Sequence, residues 1–245
     1  MITWRTNYII PHKGCAVNNL SVSKSNSLID ASYKLNAQAQ KLVLACLAKV
    51  NPMPDAEPTK RVTITALEFS ELMGIDLKNA HRELYKASDA LFKASVILYE
   101  GDDEREIYWV QERVKRIKGE GQITLIWSDS ILKYICQLKS RFTTYKLRGI
   151  AQLQSSHSIR LYELLMKFNA TGERVIYVDD FKSALGISDK YPAYRDLNKW
   201  VIKPAIEELN QRSDLIIKFD TIKKGRNVVA LVFEFKQNNQ LKMDI

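Results

Sequence analysis

The residues with the most evident chemical potential lie in a segment predicted as an amphipathic helix, Ala193 to Gln211. Apolar residues recur every four positions and are expected to face a core: Leu197, Val201, Ala205 and Leu209. The outer faces carry the candidate DNA contacts: Tyr194, Arg195, Asn198, Lys199 and Lys203. Arginine can grip guanine edges bidentately and asparagine can do so with adenine, and one such contact gives roughly 1–3 kcal/mol of discrimination. The alternative is an ordinary solvated helix face.

A compact group of cations follows this helix. Two strand-like runs, Leu215 to Thr221 and Val228 to Lys236, flank a loop of about five residues. Its three cations are Lys223, Lys224 and Arg226. So much positive charge on one hairpin tip is unfavourable unless an anion lies near, which predicts a phosphate or minor-groove contact. The alternative is a lysine-rich hairpin that protects a sheet edge.

A helix-turn-helix would position these residues. The segment Asp179 to Ser188 opens with two aspartates that can cap a short helix, and Gly186 supplies the turn that closes it. The longer helix from Ala193 then follows. A helix-turn-helix with a basic hairpin behind it is typical of a winged helix, a fold that presents its second helix and its hairpin to DNA.

The same order of elements is predicted earlier in the chain. A helix from Ala66 to Met73 ends at Gly74, a second runs from Leu77 to about Ala94, and strands over 107–117 and 123–127 pair as a wing. The candidate contacts of this unit are Lys78, Arg82 and Lys86 on the helix and Lys115, Arg116 and Lys118 on the wing. Nearby acidic side chains lower the positive potential around these cations. We therefore expect the cations to contact mostly phosphates, or protein.

These patterns predict an α+β fold of two tandem winged-helix domains related by internal duplication. The predicted divisions are an N-terminal arm over 1–24, a first domain over 25–138 and a second, mainly DNA-reading domain over 139–245. Between the two units, Ser130 to Gln154 contains no proline and one glycine. This segment is therefore predicted as a packed, helical link rather than a flexible tether.

The charge of the chain favours a polyanionic partner. Its 245 residues have a formal net charge of +9, and 46% are hydrophobic, which is enough for packed cores. Residues 141–245 carry 18 basic and 12 acidic side chains, so the larger share of the excess lies in the second unit. Nucleic acid and an anionic membrane face both fit this charge.

Cysteine and histidine patterns predict neither a disulfide framework nor a metal site. The cysteines are Cys15, Cys46 and Cys136, and the histidines are His12, His81 and His157. The cysteines are odd in number and far apart, which fits a reducing cytosol, and the histidines are isolated, so no metal and no cofactor is expected. The sequence also lacks a Gly-Lys dipeptide and an apolar run of about 20 residues, which argues against a usual P-loop and a membrane span.

One cluster could in principle support catalysis. It contains Arg141, Tyr145, Arg148, His157, Arg160 and Tyr162, which resemble a tyrosine nucleophile with cationic phosphate clamps. We predict instead that Tyr145 and Tyr162 pack the helices between the two units, and that the protein is not an enzyme.

Three stretches carry a family resemblance. They are Lys24 to Ile29, Phe142 to Leu165, and Val201 to Asn210 with Lys224-Gly225-Arg226 and Val232 to Phe235. Spread from Lys24 to Lys236, they make the chain resemble the iteron-binding plasmid replication initiators, the Rep proteins with two winged-helix domains. The chain departs from some members in having Trp200 where a cation can occur.

The resemblance implies a non-catalytic protein of the bacterial cytoplasm, associated with plasmid or nucleoid. Such proteins bind repeated origin sites as monomers, help to open the adjacent duplex and recruit host replication proteins such as a helicase and an initiator. As dimers they commonly repress their own promoter, and the first domain takes part in dimerisation. By position, the reading helix falls on Tyr194 to Lys203 and the wing on Lys223 to Asn227. The alternatives are a winged-helix transcription repressor without a replication role and a DNA-strand-transferring enzyme.

Overall fold

The computed structural model describes residues 19–116 and 118–238. The elements of the first part are β1 (Ser21–Ser25), α1 (Asn26–Asp30), α2 (Ala37–Leu47), β2 (Arg61–Thr65), α3 (Ala66–Met73), α4 (Leu77–Phe92), β3 (Ser95–Glu100), β4 (Asp103–Tyr108), β5 (Val110–Lys115), β6 (Gln122–Trp127), α5 (Asp129–Ile135) and β7 (Phe142–Lys146). Those of the second part are α6 (Ser156–Met166), β8 (Glu173–Tyr177), α7 (Val178–Ala184), α8 (194–212), β9 (Leu215–Lys224) and β10 (Asn227–Gln237). Helices and strands mix in each part, as the predicted α+β class requires.

The first winged helix forms where its local signals lie. Thr65 and Glu68 form a reciprocal capping box at the start of α3, and Gly74 ends this helix with a φ of +60°. The Asp76 side chain then accepts a hydrogen bond from the Lys78 amide and caps α4. Strands β2, β6 and β5 form an antiparallel sheet in that order, and the β5–β6 hairpin is the predicted wing.

One predicted strand of this unit is two strands in the structure. The run over 107–117 breaks at Trp109, whose buried indole packs edge-on against Tyr33 with ring centroids 5.2 Å apart. The chain bends there, so β4 pairs with β3 in a separate two-stranded sheet while β5 pairs with β6. Burial of the large aromatic ring therefore overrides the continuous strand pattern.

The second winged helix repeats this order of elements. Gly186 follows α7 with a φ of +67° and leads towards α8. Strands β8, β10 and β9 form an antiparallel sheet, in which β9 and β10 make the long wing hairpin. The two halves thus share a helix, a left-handed glycine, a second helix and a hairpin, as the predicted internal duplication requires.

The expected arm and link are both partly wrong. Residues 1–18 of the predicted arm lie outside the described residues, but 21–24 belong to β1, which pairs antiparallel with β7. The helical link was predicted over 130–154, yet its helix ends at Ile135 and β7 follows. Thr143 and Tyr145 alternate inward along β7, and its backbone is satisfied by β1. The domain boundary at 138 and 139 separates these two strands and stays a prediction.

A buried ionic cluster joins α6 to both halves. Lys24, Arg160 and Glu163 are all at most 2% exposed. Arg160 donates to the carbonyl oxygens of Ile29, Ala31 and Ala184 at 2.7 to 3.2 Å. It also pairs with Glu163 at 2.8 Å, and the Lys24 ammonium reaches this carboxylate at 2.6 Å. Burial alone would raise the pKa of Glu163, but the two cations bring it down to about 2.

Because Arg160 binds the last residue of α7, the helix-turn-helix of the second unit is fixed to α6 and α1. In these contacts the Arg160 guanidinium donates hydrogen bonds to backbone carbonyl oxygens. Because the site is deeply buried, water cannot take the place of the guanidinium as the donor. This cluster sets the position of α7, and through Gly186 it sets the start of α8.

The Gly186 turn gives a prediction about stability. We expect Gly186→Ala to lower the free energy of unfolding by roughly 2–4 kcal/mol, since a β-carbon there adds left-handed strain and lies 2.7 Å from the Tyr33 backbone oxygen. Gly225→Ala is the matched control: its φ is +63° but nothing lies within 4 Å, so about 1–2 kcal/mol is expected. Urea denaturation measures both, and equal losses would contradict the proposed collision.

Candidate nucleic-acid interface

Helix α8, the predicted reading helix, is not α-helical throughout. It consists of an α-helical turn Tyr194–Leu197, a π-helical segment Asn198–Ile202 and an α-helix Lys203–Arg212. Pro204 has no amide hydrogen to donate, and in an unbroken α-helix its ring would crowd the carbonyl four residues earlier. The Lys203 amide therefore donates to Asn198 five residues back, and the widened turn accommodates the proline.

The wide turn aligns both faces of α8. In a pure α-helix, residues four apart drift by about 40° at each step, because one residue turns about 100°. The extra residue of the π-turn offsets this drift, so the apolar set Leu197, Val201, Ala205 and Leu209 stays buried along one side. The basic set has the same spacing, with Arg195, Lys199 and Lys203 all exposed. The structure thus presents one row of three cations opposite the core.

Two of the predicted contacts on α8 are less accessible than expected. Tyr194 is half-buried with its ring packed against the core, and this burial raises the pKa of its hydroxyl. Asn198 is also half-buried at the start of the π-turn, and its Oδ1 atom is enclosed without a hydrogen-bond partner among the described residues. The expectation that both side chains lie on outer faces is therefore wrong in part, since both are half-buried.

The second wing is longer and its tip tighter than predicted. β9 runs to Lys224 and β10 starts at Asn227, so the turn consists of Gly225 and Arg226 rather than five residues. Gly225 has a φ of +63°, the conformation that such a two-residue turn needs. The three cations of the wing, Lys223, Lys224 and Arg226, are all exposed. They form a cationic tip, defined here as residues 223–226.

A groove of about 1190 Å³ lies between this tip and the start of α8. Its lining includes Tyr177, Lys182, Tyr194, Lys224 and Arg226. Tyr177 and Lys182 were not among the predicted contact residues. The signal for Tyr177 is the alternation along β8, where Arg174 and Ile176 point inward and Tyr177 points out. The carboxylates of Asp179 and Asp180 also line the groove, so its charge is mixed away from the tip.

The matching surface of the first unit is weaker. Lys78, Arg82 and Lys86 are exposed on α4, as predicted. Arg82, however, is bonded to Glu83 at 3.1 Å and to Asn79 at 2.8 Å. Part of its positive charge is therefore neutralised within the helix.

The first wing also uses one of its cations internally. Lys115 is half-buried and donates to Asp89 at 2.7 Å, and Arg113 contacts the same carboxylate oxygen. The hydrogen bond from Lys115 lowers the pKa of Asp89. Arg116 and Lys118 remain exposed, while the Arg116 carbonyl accepts a hydrogen bond from Tyr85. The expected dilution by acids is thus seen at Asp89, and two of the three predicted wing cations stay available.

The two tyrosines of the cluster considered for catalysis are buried in the interior. Tyr145 donates to Glu163 at 2.5 Å and Tyr162 donates to Asp214 at 2.9 Å, and their rings meet edge-on with centroids 5.5 Å apart. Burial raises the pKa of both hydroxyls well above the ordinary value. A buried, protonated phenol is a poor nucleophile, and the prediction that these rings pack the interior is confirmed.

Among residues 19–116 and 118–238, no group of three or more His, Cys, Asp or Glu side chains is arranged to hold a metal ion. In the same part of the chain, every helix is too short or too polar to cross a bilayer.

Comparison with known families gives two matches that divide the chain. A family model described as "Initiator Replication protein, WH1" matches residues 21–166, and one described as "Initiator Rep protein, WH2" matches residues 177–235. A replication initiation protein of Escherichia coli is 29% identical to the chain over 248 residues, which cover 93% of this chain and 77% of that protein. An uncharacterized 27.6 kDa protein of Escherichia coli is 23% identical, over 87% of this chain and 94% of that protein.

The fold is similar to two solved structures. The Pi initiator protein in complex with iteron DNA superposes with a TM-score of 0.78 at 22% identity, over 91% of this chain and 99% of that chain. Domains 2 and 3 of RctB superpose with a TM-score of 0.50 at 11% identity, over 81% of this chain and 80% of that chain. These likenesses show the fold, two winged-helix domains in tandem.

Proposed function

Because the chain belongs to the family of initiator replication proteins with two winged-helix domains, we propose that it binds directly repeated sites, iterons, in a plasmid origin and thereby initiates plasmid replication. The single observation that carries this proposal is the row Arg195, Lys199 and Lys203, exposed on α8 of a winged helix. The Pi initiator, which has a similar fold, was solved in complex with iteron DNA.

The row fits the demands of a major groove. A helix entering the groove brings its outer face to base edges while flanking cations meet phosphates on both strands. Of the three, Arg195 lies nearest the start of α8, has 89% of its side chain exposed, and forms an ion pair with Asp196 at 3.6 Å. Arg195 is therefore the candidate for a bidentate contact with a guanine edge. Lys199 and Lys203 follow one and two turns later and are the candidates for phosphates or guanine edges. Asn198 and Tyr194 support the helix from its flank.

The cationic tip of the wing supplies contacts beside the row. Three exposed cations, one on the two-residue turn and two at the end of β9 before it, fit the phosphates or the minor groove next to the site that α8 reads. They determine affinity and its dependence on salt more than the choice of sequence.

Removal of the tip charges gives a quantitative prediction. In a variant with Lys223, Lys224 and Arg226 replaced by alanine, the slope of log affinity against log salt should become less negative by roughly 2 to 3, at about 0.9 per phosphate contact. The preference for iterons over random duplex should change little. Titrations at several salt concentrations measure both quantities, and Lys236→Ala, which removes one exposed charge at the far end of β10, is a single-charge control. An unchanged slope would show that the tip does not contact DNA.

The first unit has a supporting role in this proposal. Its exposed cations Lys78, Lys86, Arg116 and Lys118 make backbone contacts, while Lys115 is held by Asp89. As in the family that the sequence resembles, this unit also takes part in a dimer that represses the promoter of its own gene. Host replication proteins, a helicase and an initiator among them, are the further partners. Sedimentation with and without iteron DNA tests the monomer-dimer equilibrium.

In this proposal the protein works in the bacterial cytoplasm. It acts by binding plasmid DNA, without catalysis and without a cofactor. Burial of Tyr145 and Tyr162 supports this, because the two candidate nucleophiles are bonded to carboxylates inside the protein. A covalent protein-DNA adduct, lost on Tyr145→Phe or Tyr162→Phe, would contradict it.

The test of the function is a mobility-shift titration against repeats of about 20 base pairs from the DNA flanking the gene, with random duplex as competitor. Stepwise, specific retardation is expected. A repressor without a replication role would give the same shifts, so an origin-dependent replication assay follows. A plasmid carrying the repeats and the gene should be maintained, and failure of maintenance with intact iteron binding would leave only the repressor.

A further inference from the structure

Helix α8 exposes a tryptophan beside its basic row. Trp200 is 59% exposed, whereas Trp109 and Trp127, the other indoles in the part that the structure describes, are fully buried. The Lys199 ammonium lies 4.5 Å from the centroid of the Trp200 ring. An apolar side chain as large as an indole thus stands beside the cations that would meet DNA.

Packing against the residues that the structure describes does not explain the position of Trp200. It lies in the π-turn, next to exposed Lys203 and Pro204 one turn later, and more than half of its surface remains in water. Burial of an aromatic ring is favourable in proportion to the apolar area removed from water, so most of that gain is still open to a partner. A partner that docks on Arg195, Lys199 and Lys203 covers the indole as well.

We propose that Trp200 is a specificity-determining residue that packs against thymine methyl groups in the major groove, an inference that rests on the proposed function. The C5-methyl of thymine is the apolar group that the major groove displays, and it distinguishes T from C. The indole has no cationic head to bind phosphate. With Lys199 held at its face by the cation–π contact, the rest of the ring is free for a methyl group. Trp200 therefore reads T-containing steps, while its charged neighbours hold the backbone.

The test combines a change in the protein with removal of the methyl groups from the DNA. Deoxyuridine in place of thymidine removes each methyl and leaves the base pair intact. We measure the affinities of the full-length wild type and of Trp200→Ala for an iteron duplex with thymine and for the same duplex with uracil. Random duplexes with either base serve as controls, and Trp200→Phe keeps an aromatic ring.

The wild type is expected to bind the uracil iteron about 4-fold more weakly for each contacted methyl, from about 0.8 kcal/mol per apolar carbon. Trp200→Ala should bind the thymine iteron at least 4-fold more weakly than wild type and should barely distinguish the two duplexes. Trp200→Phe should retain part of the discrimination. Substitution of thymines one at a time then locates the contacted base.

Three results would overturn the inference. Wild-type affinity of Trp200→Ala for the thymine iteron would show that the indole does not contact the site. Equal discrimination between thymine and uracil by wild type and Trp200→Ala would assign methyl recognition to other residues. Equal weakening of Trp200→Ala on iteron and random duplex would make Trp200 a backbone contact. By contrast, absence of any preference of the wild type for iterons over random DNA would refute the proposed function itself, and this inference with it.

Discussion

Replacement of both Arg195 and Lys199 by glutamate is expected to abolish specific iteron binding while the fold stays intact. Both side chains are exposed in the row on α8, so neither change removes a core contact. Two lost base or phosphate contacts, at roughly 1–3 kcal/mol each, correspond to an affinity loss of about 30-fold to 10⁴-fold, and repulsion between glutamate and phosphate adds to it. Mobility-shift titration at fixed salt measures the loss.

The control must match the change in net charge. Lys139→Glu with Lys236→Glu alters the charge equally at exposed positions outside α8 and the cationic tip. Through long-range electrostatics alone, this control should weaken specific and random binding to a similar, smaller extent. Circular dichroism and the urea midpoint check the fold of each variant. If the Arg195 and Lys199 double variant binds iterons as the wild type does, α8 is not the reading helix.

The second large effect concerns the stability of the buried ionic cluster. We expect Glu163→Gln to lower the free energy of unfolding by about 3–5 kcal/mol, since it leaves two buried cations, Lys24 and Arg160, without their shared anion. Glu71→Gln makes the same chemical change at an exposed position of α3 and should stay within about 0.5 kcal/mol of wild type. Urea denaturation at neutral pH measures both, and equal stability of the two variants would contradict the role of the cluster.

The same carboxylate predicts an acid-sensitive component of stability. The pKa of Glu163 is about 2 in the folded protein and near 4.5 for an ordinary glutamate, so the unfolded chain binds its proton first as pH falls. The contribution is full above about pH 4.5 and is lost as pH falls towards 2. Subtraction of the Glu163→Gln stability curve from that of wild type isolates it. A pH-independent difference would show that Glu163 is not ionised in the fold.

Local signals predicted most elements that build the site. Gly74 and Gly186 adopt the left-handed conformation that a helix-turn-helix requires, and the four-residue apolar repeat of α8 is buried as expected. The π-turn also had a local signal, because Pro204 lies in the interior of the predicted helix. The sequence shows that such a proline must disturb the helix. It does not show whether the result is a kink or a wide turn, since the packing of both flanks decides between them.

The features missed depend on residues far apart in sequence. β1 pairs with β7 across more than 100 positions, and both strands are short and rich in serine, threonine and lysine, so neither has a strong apolar pattern. Likewise, an interior ion pair between Lys24 and Glu163 has no local signature, because charged residues are mostly exposed. The half-burial of Asn198, by contrast, could have been predicted, because at about 100° per residue Asn198 falls within the arc between Leu197 and Leu209.

The pairing of β1 with β7 has a consequence for how the protein is made. As the chain leaves the ribosome, β1 is among the earliest described segments to emerge, yet its partner is not complete until residue 146, and the carbonyl of Ala184 that Arg160 binds appears later still. The first unit therefore cannot complete its fold until β7 has been synthesised. Contacts over such separations are slow to form, and the open edge of β1 is exposed to other chains meanwhile. We therefore expect the yield of folded protein to depend on synthesis rate and chaperone supply as well as on final stability.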